Sequence, residues 1–251
     1  MSGKDEYYNK AKQQGYRSRS AYKLKQLDDL EDVLSDGDRV VDLGAAPGGW
    51  LQVAKERVGT GTVLGVDFQR IEPLEGVETI KGDMTNERTR KRIAEEILEA
   101  DVVLSDMAPN MTGEYSLDHA RSVHLARQAF ETARDVLAPG GDFVVKVFEG
   151  QDLAPFRSDL EESFEYVRTT SPEASRKESS EVYLIAKGFL TAPVSEGERL
   201  AVEIEDEGRE GDGIARIEGY TVFVPDTERG DRVEIEIKDL KPRFGFGKRV
   251  E

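Results

Sequence analysis

The sequence predicts an α/β protein: a doubly wound, mostly parallel sheet of seven strands whose last strand is antiparallel, followed by a small β-barrel. Three observations carry this. Apolar strand-like runs alternate with helical stretches up to about residue 190. The last two of those runs have no helix between them. Beyond residue 191 helical periodicity gives way to short alternating runs broken by Gly, Asp and Pro turns.

In chain order, strands are expected near 39–43 (RVVDL), 62–67 (TVLGVD), 77–80 (VETI), 101–105 (DVVLS), 142–148 (DFVVKVF), 164–168 (FEYVR) and 181–187 (EVYLIAK). Helices fit near 18–33, 49–57, 86–99, 117–137 and 152–162. Val123, Ala126, Phe130, Ala133 and Leu137 recur every three or four residues and make one apolar helix face. The APGG at 138–141 is expected to stop that helix and turn into the next strand. The runs at 164–168 and 181–187 are joined only by the polar TTSPEASRKESS, so they should pair antiparallel. Five further short strands are expected near 199–205, 213–217, 220–224, 231–237 and 244–250. The change of texture near TAPVSEGE divides the chain into domains 1–190 and 191–251.

Composition bounds the function. The 251 residues carry a formal charge of −16 and no cysteine, which excludes a disulfide framework and a thiolate metal site. The first 30 residues hold no apolar segment of the kind a secretory leader needs, and no run approaches the ~18 apolar residues of a membrane span. A soluble, cytoplasmic protein is expected. The charge is uneven. Residues 1–25 hold seven Lys and Arg against Asp5 and Glu6, and residues 238–249 hold five against Asp239. Basic ends beside Tyr16, Tyr22, Phe244 and Phe246 suit a polyanion with stacking bases. The acid excess, with 21 Arg against 14 Lys, suggests adaptation to high salt.

The loop after the first strand reads GAAPGG, from Gly44 to Gly49. Its spacing fails the G-x-G-x-x-G fingerprint of dinucleotide sites, which disfavours a nicotinamide oxidoreductase. Pro47 stiffens the loop and removes an N–H, while Gly48 and Gly49 permit close backbone approach. A nucleoside–amino-acid cofactor without a pyrophosphate fits such a loop. Asp67, Asp83 and Asp106 each end a strand-like run, on the edge where open α/β sheets bind ligands. Asp67 is placed for ribose hydroxyls and Asp83 for an adenine.

Lys146 lies inside the apolar FVVKVF, where a lysine is costly unless paired or functional. Strand direction brings it towards Asp106, and Glu181 opens the antiparallel last strand at the same edge. His119 and His124 read as packing or surface residues of a helix rather than ligands.

Taken together, RSRSAYKL, VVDLGAAPGGW, LSDMAPNMTG, LAPGGDFVVKVFEG and SSEVYLIA closely resemble the FtsJ/RlmE family of ribosomal RNA 2′-O-ribose methyltransferases, over roughly residues 5–188. The resemblance implies a Rossmann-like class I fold that uses S-adenosyl-L-methionine. It implies a Lys–Asp–Lys–Glu tetrad on Lys23, Asp106, Lys146 and Glu181. It places cofactor contacts on Gly48, Trp50, Asp67, Asp83 and Asp106. It implies methylation of a uridine 2′-hydroxyl in large-subunit rRNA, on rRNA or the 50S subunit, with no membrane partner, no metal and a monomer favoured. The tail from about 191 is similar to a TRAM domain, an OB-like RNA-binding barrel that the shorter bacterial members lack.

The chemistry suits these residues. A ribose 2′-hydroxyl is a poor nucleophile at neutral pH. Lys146 can take its proton if the lysine is neutral, or orient the oxygen if it is charged, and the sequence leaves both roles open. Two other functions remain consistent with it: a tRNA ribose methyltransferase, and a non-catalytic rRNA-binding assembly factor.

Overall fold

The computed structural model describes residues 6–176, 179–208 and 211–250. The first part orders its elements as α1 (Glu6–Gln14), α2 (Ala21–Glu31), β1 (Arg39–Leu43), α3 (Gly49–Val58), β2 (Thr62–Asp67), β3 (Glu78–Lys81), α4 (Glu87–Ile97), β4 (Ala100–Ser105), α5 (Tyr115–Val136), β5 (Leu137–Phe148), α6 (Leu153–Glu161), β6 (Phe164–Thr170) and β7 (Glu181–Phe189). The seven strands form one sheet in the order β3-β2-β1-β4-β5-β7-β6. Pairings among β1 to β5 are parallel, and β7 is inserted antiparallel between β5 and β6. This is the expected architecture, and it is dictated by the missing crossover helix after β6.

Both faces are covered. Ile93 and Ile97 of α4, Phe130 and Ala133 of α5, and Phe156 and Leu160 of α6 pack on one face with Val145 and Val147 of β5. Leu24 and Leu27 of α2 and Leu51 and Val53 of α3 pack on the other with Val40, Val144 and Tyr183. Side chains alternate along a strand, so Asp42 and Lys146 belong to the α2/α3 face.

Three local expectations are corrected. Helix α1 was not anticipated, because EYYNKAKQQ is polar and buries only Ala11. APGG is no turn: α5 ends at Val136, and β5 begins at Leu137 in extended conformation. Between the pairs Ala100↔Leu137 and Val102↔Asp142, residues 138–141 oppose Asp101 alone, a bulge with Gly140 at φ 88°. The tail also has one strand more than expected. It comprises β8 (Arg199–Glu203), β9 (Asp206–Glu207), β10 (Gly213–Ile217), β11 (Tyr220–Val224), β12 (Arg232–Leu240) and β13 (Phe244–Arg249). These curl as a sheet in the order β8-β12-β13-β11-β10-β9 around Ile204, Ala215, Val222, Val224, Ile235 and Ile237. Lys4 and Asp5 of the first basic cluster lie outside the described residues.

Candidate active site

The glycine loop joins β1 to α3 at the carboxyl edge of the parallel strands. Gly44 and Ala45 donate their N–H groups to Val66 O at 2.8 and 3.1 Å, folding the loop onto the end of β2. Asp67, buried at that end, accepts from Ala46 N at 2.9 Å and from Gln69 N at 2.7 Å. Gly44 and Gly48 have φ of 79° and 107°, which only glycine adopts without strain, and the Ala46–Pro47 peptide is cis. The room at Gly48 and Gly49 goes first to the chain's own N-terminal segment. A Cβ at Gly48 would stand 2.7 Å from Arg17 Nη1, and one at Gly49 would overlap Ser18 Oγ. Arg17 in turn donates to the carbonyls of Glu72 and Pro73, each at 2.7 Å.

Trp50 is 2% exposed. Its ring packs 6.0 Å from that of Tyr183, and its indole N–H donates to Ser20 O at 2.8 Å. Its side chain is therefore part of the core. What Trp50 offers a ligand is its main chain in the first turn of α3, where N–H groups have no acceptor inside the helix. Asp83 is exposed; its Oδ1 accepts from Thr85 N at 2.9 Å and Thr85 Oγ1 at 2.8 Å, and these bonds lower its pKa.

The residues expected to converge do so. Lys146 Nζ lies 2.8 Å from Asp106 Oδ1 and donates to Asp106 O at 2.5 Å. Lys23 Nζ lies 2.6 Å from Glu181 Oε1. Lys23 and Lys146 are each 7% exposed. Burial would raise the Asp106 pKa, but Lys146, Lys23 and the hydrogen bonds it accepts hold it below the usual carboxylate range. The two ion pairs are joined by a residue the sequence did not single out. Tyr183 stands opposite Lys146 in the β5–β7 register and donates its hydroxyl to Asp106 Oδ1 at 2.7 Å. The Lys23 ammonium lies 5.7 Å from the centre of the Tyr183 ring. Burial, then Asp106 and Glu181, push the Tyr183 pKa well up, so it remains a donor.

Asp42 was also passed over, although its acid interrupts the apolar VVDL. It is 1% exposed, and neither carboxyl oxygen has a hydrogen-bond partner among the described residues. Burial, reinforced by Asp106 and Asp67, raises its pKa well above the usual value. The first turn of α5 supports the same edge. Asp118 accepts from Thr112 N, Thr112 Oγ1 and Gly113 N at 2.8, 2.9 and 3.0 Å, which fixes the loop that follows Asp106. His119 is a packing residue: Nδ1 meets Phe148 O at 2.9 Å, and Nε2 accepts from Asp152 N at 3.1 Å. His124 is exposed.

The N-terminal basic cluster is largely engaged within the protein. Arg17 holds the loop carbonyls, and Arg19 donates to Ala174 O at 2.5 Å. Lys23 pairs with Glu181, and Lys25 with Glu56 and Tyr16. Among the described residues no group of three or more His, Asp or Glu could hold a metal ion, and no helix is long and apolar enough to cross a membrane.

Comparison with known proteins gives the family. A family model for FtsJ-like methyltransferases matches residues 16–189, and one for the TRAM domain matches residues 193–250. The chain is 64% identical over 252 residues to ribosomal RNA large subunit methyltransferase E of Natronomonas pharaonis, covering 100% of both chains. It is 66% identical over 256 residues to the protein of that name from Halorubrum lacusprofundi, covering 100% of this chain and 95% of the other. A crystal structure from Plasmodium falciparum, described as a ribosomal RNA methyltransferase, aligns with a TM-score of 0.63 and 29% identity over 69% of this chain and 98% of its own. On the family match and on these identities, the chain belongs to the FtsJ-like methyltransferases and carries a C-terminal TRAM domain.

Proposed function

We propose that this protein transfers a methyl group from S-adenosyl-L-methionine to the 2′-hydroxyl of a uridine ribose in large-subunit rRNA. It would do so as a cytoplasmic monomer acting on the rRNA or the 50S subunit. Residues 1–190 perform the chemistry and residues 191–251 hold RNA. The observation that carries the reading is the buried lysine of β5, held by Asp106 at the same sheet edge as the glycine loop and Asp67. The names of the relatives supply the class of RNA.

The site's residues suit the cofactor. Asp67, turned towards the loop, has acceptor capacity left for ribose hydroxyls, and Asp83 lies at the next strand end for the adenine. Gly48 and the first-turn main chain at Trp50 face the amino-acid end. When bound, the cofactor supplies an electrophilic methyl on a sulfonium. Lys146 does the rest of the work in the target ribose. As the cation of its ion pair with Asp106, Lys146 spends two N–H groups on that residue and keeps the third for the 2′-oxygen. Once Nζ has given that third proton to solvent, its lone pair takes the 2′-hydroxyl proton as the oxygen–carbon bond forms and the carbon–sulfur bond breaks. Asp106 also holds the amine in line, and in-line positioning lowers the barrier further. Lys23, fixed by Glu181, supplies a second positive charge near Asp106.

The test is a map of 2′-O-methyl sites on rRNA and tRNA from cells with and without the gene. One large-subunit uridine should lose its methyl. Loss confined to tRNA would reassign the substrate.

A further inference from the structure

We propose that the ring of Tyr115 is a stacking surface for the base of a nucleotide flanking the one that is methylated, and that this contact places the strand over Lys146. The proposal rests on the reading of the chain as an RNA methyltransferase and adds a residue of this chain that grips the RNA beside the reacting atoms.

The loop that leaves Asp106 keeps apolar side chains in water. Met111, Tyr115 and Leu117 are 63%, 61% and 36% exposed. The segment is nonetheless well tied. Asp118 accepts from Thr112 and Gly113, and its own N–H donates to Glu114 O at 2.9 Å. Apolar groups displayed on a fixed loop, at the edge that holds a reacting centre, mark a surface that something covers.

Tyr115 is held the reverse way round for a surface tyrosine. Such a residue ordinarily lays its ring on the protein and leaves its hydroxyl in water. Here the hydroxyl donates to Glu149 O at 2.6 Å, and the ring is what stays open. One turn on, His119 grips the same loop through Phe148 O and Asp152 N. Residues 115 and 119 share a face of α5, so the helix clamps the loop after β5 at two points. A Cβ at Gly150 would overlap the His119 ring, so helix and loop are in close contact. The Tyr115 ring is therefore ordered before any ligand arrives, which lowers the entropic cost of stacking on it.

Its place is beside the reacting atoms. Phe148, the last residue of β5, pairs with Glu181, and Glu149 donates its N–H to Ser180 O at 2.8 Å. Lys146 lies three residues before Glu149, roughly 10 Å at ~3.3 Å per residue. Successive nucleotides of a stacked strand are ~3.4 Å apart. The separation suits a neighbour of the reacting ribose.

Charge selects which part of the RNA can sit there. Glu114 and Glu149 flank the ring, Asp152 follows on the clamped loop, and Asp118 and Arg121 stand on the helix. This rim is acidic on balance and repels phosphate. A base is uncharged and offers a π-face, and stacking tolerates salt better than phosphate contacts do. The base is the part that fits.

The test uses the full chain and its Tyr115→Phe and Tyr115→Leu variants, in 2 M KCl, with unmodified transcripts of large-subunit rRNA. Tyr115→Phe keeps the ring and drops the tie to Glu149; Tyr115→Leu drops both. The leucine variant should show a KM for the transcript raised about tenfold or more, with kcat within about threefold and the parent's affinity for S-adenosyl-L-homocysteine. The phenylalanine variant should stay close to the parent. A second arm needs no turnover: the dissociation constant of the labelled transcript, measured with S-adenosyl-L-homocysteine present, should follow the same order. Equal losses in the two variants would overturn the proposal, because Tyr115 would then be a loop clamp alone. Unchanged KM and transcript affinity in the leucine variant would overturn it as well. Ring-dependent binding in a protein that transfers no methyl group would uphold the stacking surface and sink the methyltransferase reading, so the two fail separately.

Discussion

The Lys146 ammonium nitrogen meets both the side chain and the main chain of Asp106, at 2.8 Å to Oδ1 and 2.5 Å to the carbonyl oxygen. A lysine so placed has a fixed direction, and its position against a reacting oxygen is set before RNA arrives. Lys146→Ala should lower the rate of methyl transfer by roughly 10²–10⁴-fold, while cofactor affinity stays within a few fold. Single-turnover assays with labelled cofactor, beside calorimetric titration, separate the two. Near-normal turnover would remove Lys146 from the mechanism.

Asp67 has two duties. It ties Ala46 and Gln69 to the end of β2, and its remaining acceptor capacity faces the proposed ribose position. Asp67→Ala should weaken cofactor binding by ~1.5–3 kcal/mol, the range for hydrogen bonds to a charged group, and should lower the melting temperature of the free protein. Calorimetry showing unchanged affinity with reduced stability would make Asp67 a loop anchor alone.

How much of this site was legible depended on what held each residue. Asp106, Lys146 and Glu181 could be brought together from sequence because strand direction and order determine which ends share an edge. Lys23 came only from the family resemblance, since α2 lies outside the sheet and no periodicity places it against β7. Tyr183 was missed because a tyrosine in an apolar strand looks like core, and its hydroxyl is explained only by the β5–β7 register. The bulge at 138–141 was misread for a similar reason. Ala-Pro-Gly-Gly has the local chemistry of a turn, yet the pairing of Leu137 and Asp142 with β4 on either side of it makes it a bulge within the strand. Exposure of Phe244 and Phe246 followed from glycines whose inner-face packing is invisible in one dimension.

Asp42 sets a pH dependence. Its folded-state pKa is raised by burial, then by Asp106 and Asp67. An acid raised on folding binds more protons folded than unfolded, so stability falls as pH climbs above the unfolded value near ~3.9. Asp42→Asn removes that loss. It should melt higher than the parent at pH 7, with the gap closing towards pH 4. A variant that melts lower than the parent at pH 7 would mean that the ionised carboxylate is stabilising.

The Lys23–Glu181 pair is nearly buried, with side-chain exposures of 9% and 11%. Removing either partner leaves an uncompensated charge, at a cost of about 3–5 kcal/mol. Glu181→Leu alone should be strongly destabilising, and Lys23→Met/Glu181→Leu should recover most of the loss in chemical denaturation. Additive losses in the double variant would show that the two charges are not coupled.

Net charge of −16 makes the folded chain repel itself at low ionic strength. The melting temperature should rise from 0.1 M to 3 M KCl as the screening length shortens from ~10 Å to a few Å. A flat salt profile would show that the acidic surface plays no part in stability.

The most direct measurement combines purified protein, labelled S-adenosyl-L-methionine and unmodified large-subunit rRNA, followed by nucleoside digestion and mapping of the labelled position. The geometry of Lys146 and Asp106 predicts a single 2′-O-methyluridine, absent with Lys146→Ala and absent from tRNA offered in the same mixture. Label on a base atom, label confined to tRNA, or equal label with Lys146→Ala would contradict it.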